Sequence, residues 1–428
     1  MSETILTGTI HVLTDKDNQI YTPIYPKSRK DLIDGLENVD NTSDSSKRVA
    51  FATNASNAEN ATNAVNATNA TNASNDGLGN NINNTYVKND IIKIKYRKTA
   101  TAYNIGDIIY LPTLKLEKKL VCIKTGTTSS GNITVSNTTE GVLVNDGSVV
   151  WIIDSLADGI YDAAHQNGIY RGADLTAYWD SGYMSTNIRA GKFVGMHIGD
   201  YVSKTINLPA ITYTDKSGNA HSQSALAFGN AAWELAAFNP HLMSGDSSSN
   251  TTTHHVLLIS SNTRQTTVSM NPTNSTEGGY LGSDMWRVHI PNWANAIKTA
   301  FGAAHVLRHR EYLSNAINAT APSSADNNYL GTATGYEWVD VDVNIPNESM
   351  ICGSRVVGSN RDNGDFPIQL PLFSFNMMVG GTRRLWFWLR SVASAKSFSF
   401  ADGYGFTSFG GAMMNDARGG IRPYFLAY

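Results

Sequence analysis

Cysteine is almost absent: Cys122 and Cys352 are the only two in 428 residues. That is too few for a disulfide framework or a cysteine-based zinc site, and the expectation is two buried free thiols. Charge is sparse as well, at 16% of residues, and balanced, with 33 basic against 36 acidic side chains. A net charge of −3 gives no basic surface for nucleic acid or an acidic membrane. No stretch reaches the roughly 18–20 apolar residues of a membrane-spanning helix. The opening Met1-Ser2-Glu3-Thr4 has neither a basic region nor an apolar run, so no secretory leader is expected there. The chain is expected to be made in a cytoplasm and, if it works outside, to leave by a route other than secretion.

Glycine (36) and tyrosine (19) are plentiful, and 41% of residues are hydrophobic. A real core is therefore affordable in composition, built from short strands joined by long polar loops. The most specific pattern is a triplet, Asn-Ala-x, that repeats seven times without a slip from Asn54 to Ser74. One such strand has almost nothing apolar to bury alone, so a strict short period makes sense when identical copies run side by side. The small alanines would let the backbones approach. We read this as the shaft of a parallel homotrimer, ahead of a flexible polar linker, because a linker needs no exact period. A three-residue period drifts by about 60° per repeat on an α-helix, and small-residue helical packing is the favoured conformation.

The length has room for two to four domains, and four divisions follow from the patterns. Residues 1–50 open with alternation from Ile5 to Leu13 and continue as a polar segment. Residues 51–88 hold the repeat. Residues 89–155 read as a small antiparallel β-sandwich, with strands at Ile91–Tyr96, Ile108–Leu111, Leu120–Ile123 and Gly147–Ile152. Tyr110 and Trp151 could form a sugar-stacking platform, but filling the core of a small sheet is the favoured reading. Residues 156–428 read as one α+β domain expected to fold independently. Its helices are expected at Leu175–Ser181, Asp284–Phe301 and His305–Ala316. Near the end, Phe398 and Phe400 alternate, Asp402-Gly403 is a two-residue hairpin signal, and Tyr404 and Phe406 alternate on the return. The last fifty residues are expected to form a sheet with one buried and one free face.

Two segments carry a resemblance. The run from Gly35 to Ala55, "GLENVDNTSDSSKRVAFATNA", and the later "DGLGNNINNTYVK" (Asp76 to Lys88) are similar to N-terminal and shaft-closing segments of bacteriophage and prophage tail-fibre proteins. That resemblance implies a trimeric virion component attached to a tail or baseplate by residues 1–50. The spacing "FWLRS … G … GGIRPYF" (Phe387 to Phe425) resembles the C-terminal part of C-type-lectin-like domains in phage tail proteins. That family includes receptor-binding proteins diversified by retroelements, and its fold also holds formylglycine-generating enzymes. The resemblance implies that Trp388, Leu389, Arg390, Ile421, Arg422 and Pro423 are scaffold. The residues between them would then present the binding surface.

Catalytic patterns are weak. His305 and His309 stand four apart on an expected helix, which is metal-ligand spacing, but a third ligand and the Glu of a His-Glu-x-x-His site are missing, so both read as structural. His254-His255 opens an apolar strand on which at most one can face inward. The loop Asn360–Asp365 has two acids without the rest of a calcium loop. No Gly-x-Ser-x-Gly elbow occurs, and a formylglycine-type oxidase would need paired cysteines where only Cys352 is present. Aromatics beside small or polar residues give large contact area at low entropy cost. The candidate receptor-binding residues are accordingly Trp386, Lys396, Asp402, Tyr404, Phe406, Phe409, Asn415, Asp416 and Arg418. The resulting expectation is a non-catalytic, homotrimeric tail-fibre protein that needs no cofactor or metal. It would bind a bacterial surface protein or glycan through a lectin-like tip. The alternatives are a polysaccharide-degrading tail enzyme and a passive tail connector.

Overall fold

The computed structural model describes residues 10–13, 21–24, 95–114, 118–155, 161–246, 249–265, 268–318, 333–358, 368–379, 385–403, 407–413 and 420–428. It divides into two compact units, Met1–Lys93 and Ile94–Tyr428. In the first, β1 (Ile10–Leu13) and β2 (Tyr21–Ile24) form an antiparallel ribbon that pairs Ile10 with Ile24. β1 falls inside the alternating stretch expected to be a strand. The Asn-Ala-x repeat lies outside the described residues.

The second unit begins with six short strands: β3 (Ala102–Tyr103), β4 (Ile108–Ile109), β5 (Lys118–Lys124), β6 (Gly126–Thr127), β7 (Leu143–Asp146) and β8 (Val149–Ser155). β4, β5, β8 and β7 make one antiparallel sheet in that order, and β3 pairs with β6. Side chains alternate across a strand, and here both faces are apolar. Leu120, Cys122, Trp151 and Ile153 face a small core with Tyr103 and Ile109. Trp151 meets Tyr103 edge-on at 5.0 Å, and its indole N–H donates to Asp146 at 3.2 Å. It is core rather than platform, and Tyr110 is half-buried. Burial pushes the Cys122 thiol up to about 12, so it is inert. Cys352 is half-buried and also free.

The other face carries Val121, Ile123, Val150 and Ile152 into the main core of the following residues. The small sheet and the larger region share one core and one compact unit. Gly195 marks how close the two come. At φ +67 a Cβ there would sit 2.7 Å from Ile152. Arg171 ties the same junction. Its guanidinium donates to Asp154 at the end of β8, to both oxygens of Asp200 at 3.0 and 2.6 Å, and to the Gly195 carbonyl at 2.9 Å. Burial opposes its charge, but Asp200 and Asp154 outweigh that and hold it cationic.

Next come α1 (Ala163–Gln166), α2 (Thr176–Asp180) and α3 (Tyr183–Arg189), then β9 (Tyr201–Leu208), β10 (Ile211–Thr214), β11 (Ala220–Gln223), β12 (Leu226–Phe238) and β13 (Val256–Ser260). A π-helical turn, Met285–His289, runs into α4 (Ile290–Phe301). β14 (His309–Ile317), β15 (Ala333–Val341), β16 (Val343–Asn344), α5 (Glu348–Cys352), α6 (Pro371–Val379), β17 (Phe387–Val392), β18 (Ser397–Ala401), β19 (Thr407–Gly411) and β20 (Tyr424–Ala427) complete the unit. The central sheet is antiparallel in the order β16-β20-β13-β12-β9. α4 packs on β9, and Trp233, Phe301 and Phe425 lock together beneath it at centroid distances of 4.8–5.8 Å. The described chain is thus mostly strand, in several small sheets with few helices.

Three expectations are corrected. The helices at 175–181 and 284–301 form, but His305–Ala316 does not continue as one. Gly302, at φ +90, ends α4, a short turn follows, and β14 pairs with β15. The alternating burial of His309, Glu311 and Leu313 is a strand period that was misread as helical. The hairpin after β18 pairs Ala401 with Thr407, so five residues connect the strands rather than the two expected. Finally, β17 and β18 are buried on both faces, and β20 belongs to the central sheet. The last fifty residues are therefore not one sheet with a free side.

Candidate functional site

A polar cleft of about 660 Å³ that combines aromatic rings with buried polar groups lies beside the β10–β11 hairpin. The sequence Thr214-Asp215-Lys216-Ser217-Gly218-Asn219-Ala220 closes this hairpin through Asp215. Its carboxylate accepts the backbone N–H groups of Ser217 and Asn219 at 2.8 Å each, and the His221 ring nitrogen lies at 2.7 Å. Burial pushes this carboxyl up, but the bonds from Asn219, His221 and Ser217 outweigh it and hold it at about 2. Asp215 is therefore an ionised turn clamp that orients His221.

Cross-strand pairing places Tyr213 opposite His221, and their rings stack at 5.3 Å and 24°. His289, the last residue of the π-helical turn, meets Tyr213 edge-on at 5.6 Å. The turn's extra residue brings His289 to the cleft before α4 begins, and π-turns of this kind recur at functional sites. His289 is buried, and its Nδ1 has no hydrogen-bond partner. Gln223 likewise has an unpartnered Nε2, while its Oε1 accepts from Gln265 at 2.7 Å. Gln265 in turn accepts the indole N–H of Trp293 at 2.7 Å. Asp284 completes the wall. Burial raises its pKa, and it accepts the Lys216 N–H at 3.2 Å. A buried polar atom without a partner is costly, so two such atoms on one cleft wall define places where a ligand hydroxyl or carbonyl would be stabilised.

Burial alone drives the His289 pKa down to about 4, against about 6.5 for a free imidazole. The depressed value means the folded protein takes up this proton later than the unfolded chain. Its contribution to stability is full above about pH 6.5 and is lost as pH falls through 4, up to about 3 kcal/mol by linkage. Thermal melts from pH 7 to pH 4 should show His289→Gln losing less stability than the wild type over that window. Equal losses would show that this ring does not titrate as described.

Of the nine expected receptor-binding residues, Trp386, Lys396, Asp402 and Phe409 are among the described residues. Trp386 and Asp402 lie at one end of the β17–β18 hairpin, with Trp386 stacked on Phe400 at 5.1 Å. Lys396 is exposed at the opposite end, where its carbonyl accepts the Ala412 N–H. Phe409 is half-buried on β19 opposite Ser399. Tyr404, Phe406, Asn415, Asp416 and Arg418 lie outside the described residues, as does the Asn360–Asp365 loop. Met413, exposed just before the segment containing Asn415, Asp416 and Arg418, is part of the cleft rim. The six residues expected as scaffold, Trp388, Leu389, Arg390, Ile421, Arg422 and Pro423, are all buried.

His305 and His309 part company. His305 packs edge-on to Trp179, with its Nδ1 3.0 Å from the Tyr428 carbonyl. His309 meets Glu311 inside the core. His255 is buried and His254 half-buried, which fits an apolar strand with one inward position. Tyr213, Asp215, His221 and His289 were not singled out from sequence. The available signal was the Asp-x-Ser-Gly-Asn turn between Tyr213 and His221, which sets an aromatic pair face to face.

No protein-family profile, no curated protein and no solved structure matches the chain. Among the described residues, no helix is long and apolar enough to cross a membrane.

Proposed function

We propose that the chain is a trimeric receptor-binding tail protein of a phage or prophage. Residues 156–428 form a C-type-lectin-like tip that binds a bacterial surface protein or glycan without covalent chemistry. The observation that carries this reading is the Tyr213 cleft, where aromatic rings and two unpartnered buried polar atoms line a concave wall. A few placed polar groups among apolar contacts are what a recognition pocket requires. The cleft rim also reaches Met413, which precedes the candidates Asn415, Asp416 and Arg418 in sequence. Three copies on one shaft would gain avidity by effective concentration, so each contact can be modest.

A polysaccharide-cleaving reading has one observation in its favour. Asp215 and Asp284 line the same cleft with pKa values pushed in opposite directions, a pattern shared with acid/base pairs. Against it, the Asp215 carboxylate is taken up by its own turn, which leaves little of it for a substrate. Labelled full-length protein should adsorb to host bacteria. Tyr213→Ala should reduce adsorption at least tenfold, about 1.4 kcal/mol per site, with melting temperature nearly unchanged. Unaltered adsorption would remove the cleft from recognition, and release of reducing ends from host polysaccharide would favour the enzyme.

A further inference from the structure

We infer that His241, His309 and Glu311 form a buried site for a divalent transition-metal ion of the zinc class. All three side chains are buried, and their ligand atoms lie within 4.8 Å of one another. His309 opens β14, and Glu311, two residues on, points to the same side as strand alternation requires. His241 comes from the turn after β12, and its ring centroid is 4.8 Å from that of His309.

The two nitrogens of His309 face different acceptors. Nδ1 lies 3.2 Å from the Leu307 carbonyl, which can only accept and so favours the tautomer with its proton on Nδ1 and a lone pair on Nε2. Nε2 nevertheless sits 2.8 Å from Glu311 Oε1. An ionised carboxylate is also acceptor-only, and two lone pairs facing each other at that distance repel. In that tautomer the pair calls for a cation, either a second proton on His309 at this hydrogen-bond distance or a metal ion that His309 and Glu311 would bind together with His241. A backbone carbonyl on the far nitrogen is the arrangement that fixes the tautomer of a metal-binding histidine.

The carboxylate is held from behind in the same manner. Glu311 Oε2 accepts from Asn344 Nδ2 at 2.8 Å and pairs with Arg390 at 3.1 Å, while Oε1 accepts from the Tyr424 hydroxyl at 2.7 Å. Two imidazoles and one carboxylate are a zinc donor set, and they leave the fourth position to a water molecule or other small ligand. Arg390, 3.1 Å from Glu311 Oε2, opposes any added positive charge, and the proton is the occupant that competes with the metal. This inference does not depend on the receptor-binding reading.

The test uses untagged full-length protein grown with zinc, dialysed, and analysed for metal content. Stoichiometric zinc is expected. After metal removal, added Co²⁺ should give visible d–d absorption, and added zinc should raise the melting temperature. His241→Ala leaves every bond to Glu311 in place, so it should fold yet lose the cobalt bands and the zinc-dependent shift. His309→Gln keeps a donor toward Glu311 and should lose them too. Metal-free protein with no cobalt spectrum and no zinc shift would overturn the proposal and assign the cation as a proton. Cobalt bands that persist in both variants would also overturn it, by placing the metal elsewhere.

Discussion

Arg171→Ala is expected to destabilise the second unit by about 3–5 kcal/mol, the usual cost of removing one partner from a buried ion pair. The side chain neutralises two carboxylates, Asp154 and Asp200, whose side chains are fully buried. Asp200 also holds the backbone N–H groups of Gly172, Ala173 and His197, so losing the guanidinium leaves charge in the core and loosens three turns at once. The effect should exceed simple truncation because Asp154 and Asp200 belong to the two regions that share the core. Denaturant unfolding measures it. A loss below about 1 kcal/mol would mean that the small sheet is held by apolar contact alone.

Arg422→Ala is expected to cost a similar 3–5 kcal/mol, for a different reason. Arg422 is fully buried, and its guanidinium lies 4.9 Å from the Phe373 ring and 5.1 Å from Phe387, with Nε donating to the Ser260 carbonyl at 2.8 Å. Its carboxylate neighbour, Glu234, is 3.5 Å away, which is long. Burial pushes Glu234 up to about 7 and Arg422 down to about 10. The pair is therefore a weak ion pair, and the stabilisation resides in the stacked, desolvated plane and in filled volume. Arg422→Lys should not rescue, because an ammonium has no planar face to stack. Rescue by lysine would instead identify charge pairing with Glu234 as the main contribution.

Strand positions in the small sheet were legible because β-branched residues alternate there and glycine-rich turns bound them. The burial of Trp388 and Arg422 was legible only through the resemblance carried by the Phe387–Ser391 and Gly419–Phe425 spacing, since local pattern alone does not bury an arginine. The β14 strand was not. Its sequence, His-Arg-Glu-Tyr-Leu-Ser-Asn-Ala-Ile, contains good helix formers, and only pairing with β15 decides its conformation. The shared core was hidden for a related reason: Val121 and Leu120 look alike in sequence, and only the fold shows that they face different neighbours. The cleft joins residues from β10, β11 and the π-turn, so no single window of sequence contains it. The His241–His309–Glu311 cluster is equally non-local.

β20 has a consequence for how the chain is made. It lies between β16 and β13 in the central sheet, pairing with both, although the whole stretch from Ser261 to Pro423 separates it from β13. A ribosome therefore finishes β9, β12 and β13 long before their neighbour exists, and β13 waits with an open edge rich in Val, Leu and Ile. Such delayed long-range pairing is slow and exposes the nascent chain to aggregation. Newly made chains should depend on chaperones until Tyr424–Ala427 slots in, and truncation before Tyr424 would remove an interior strand instead of a tail.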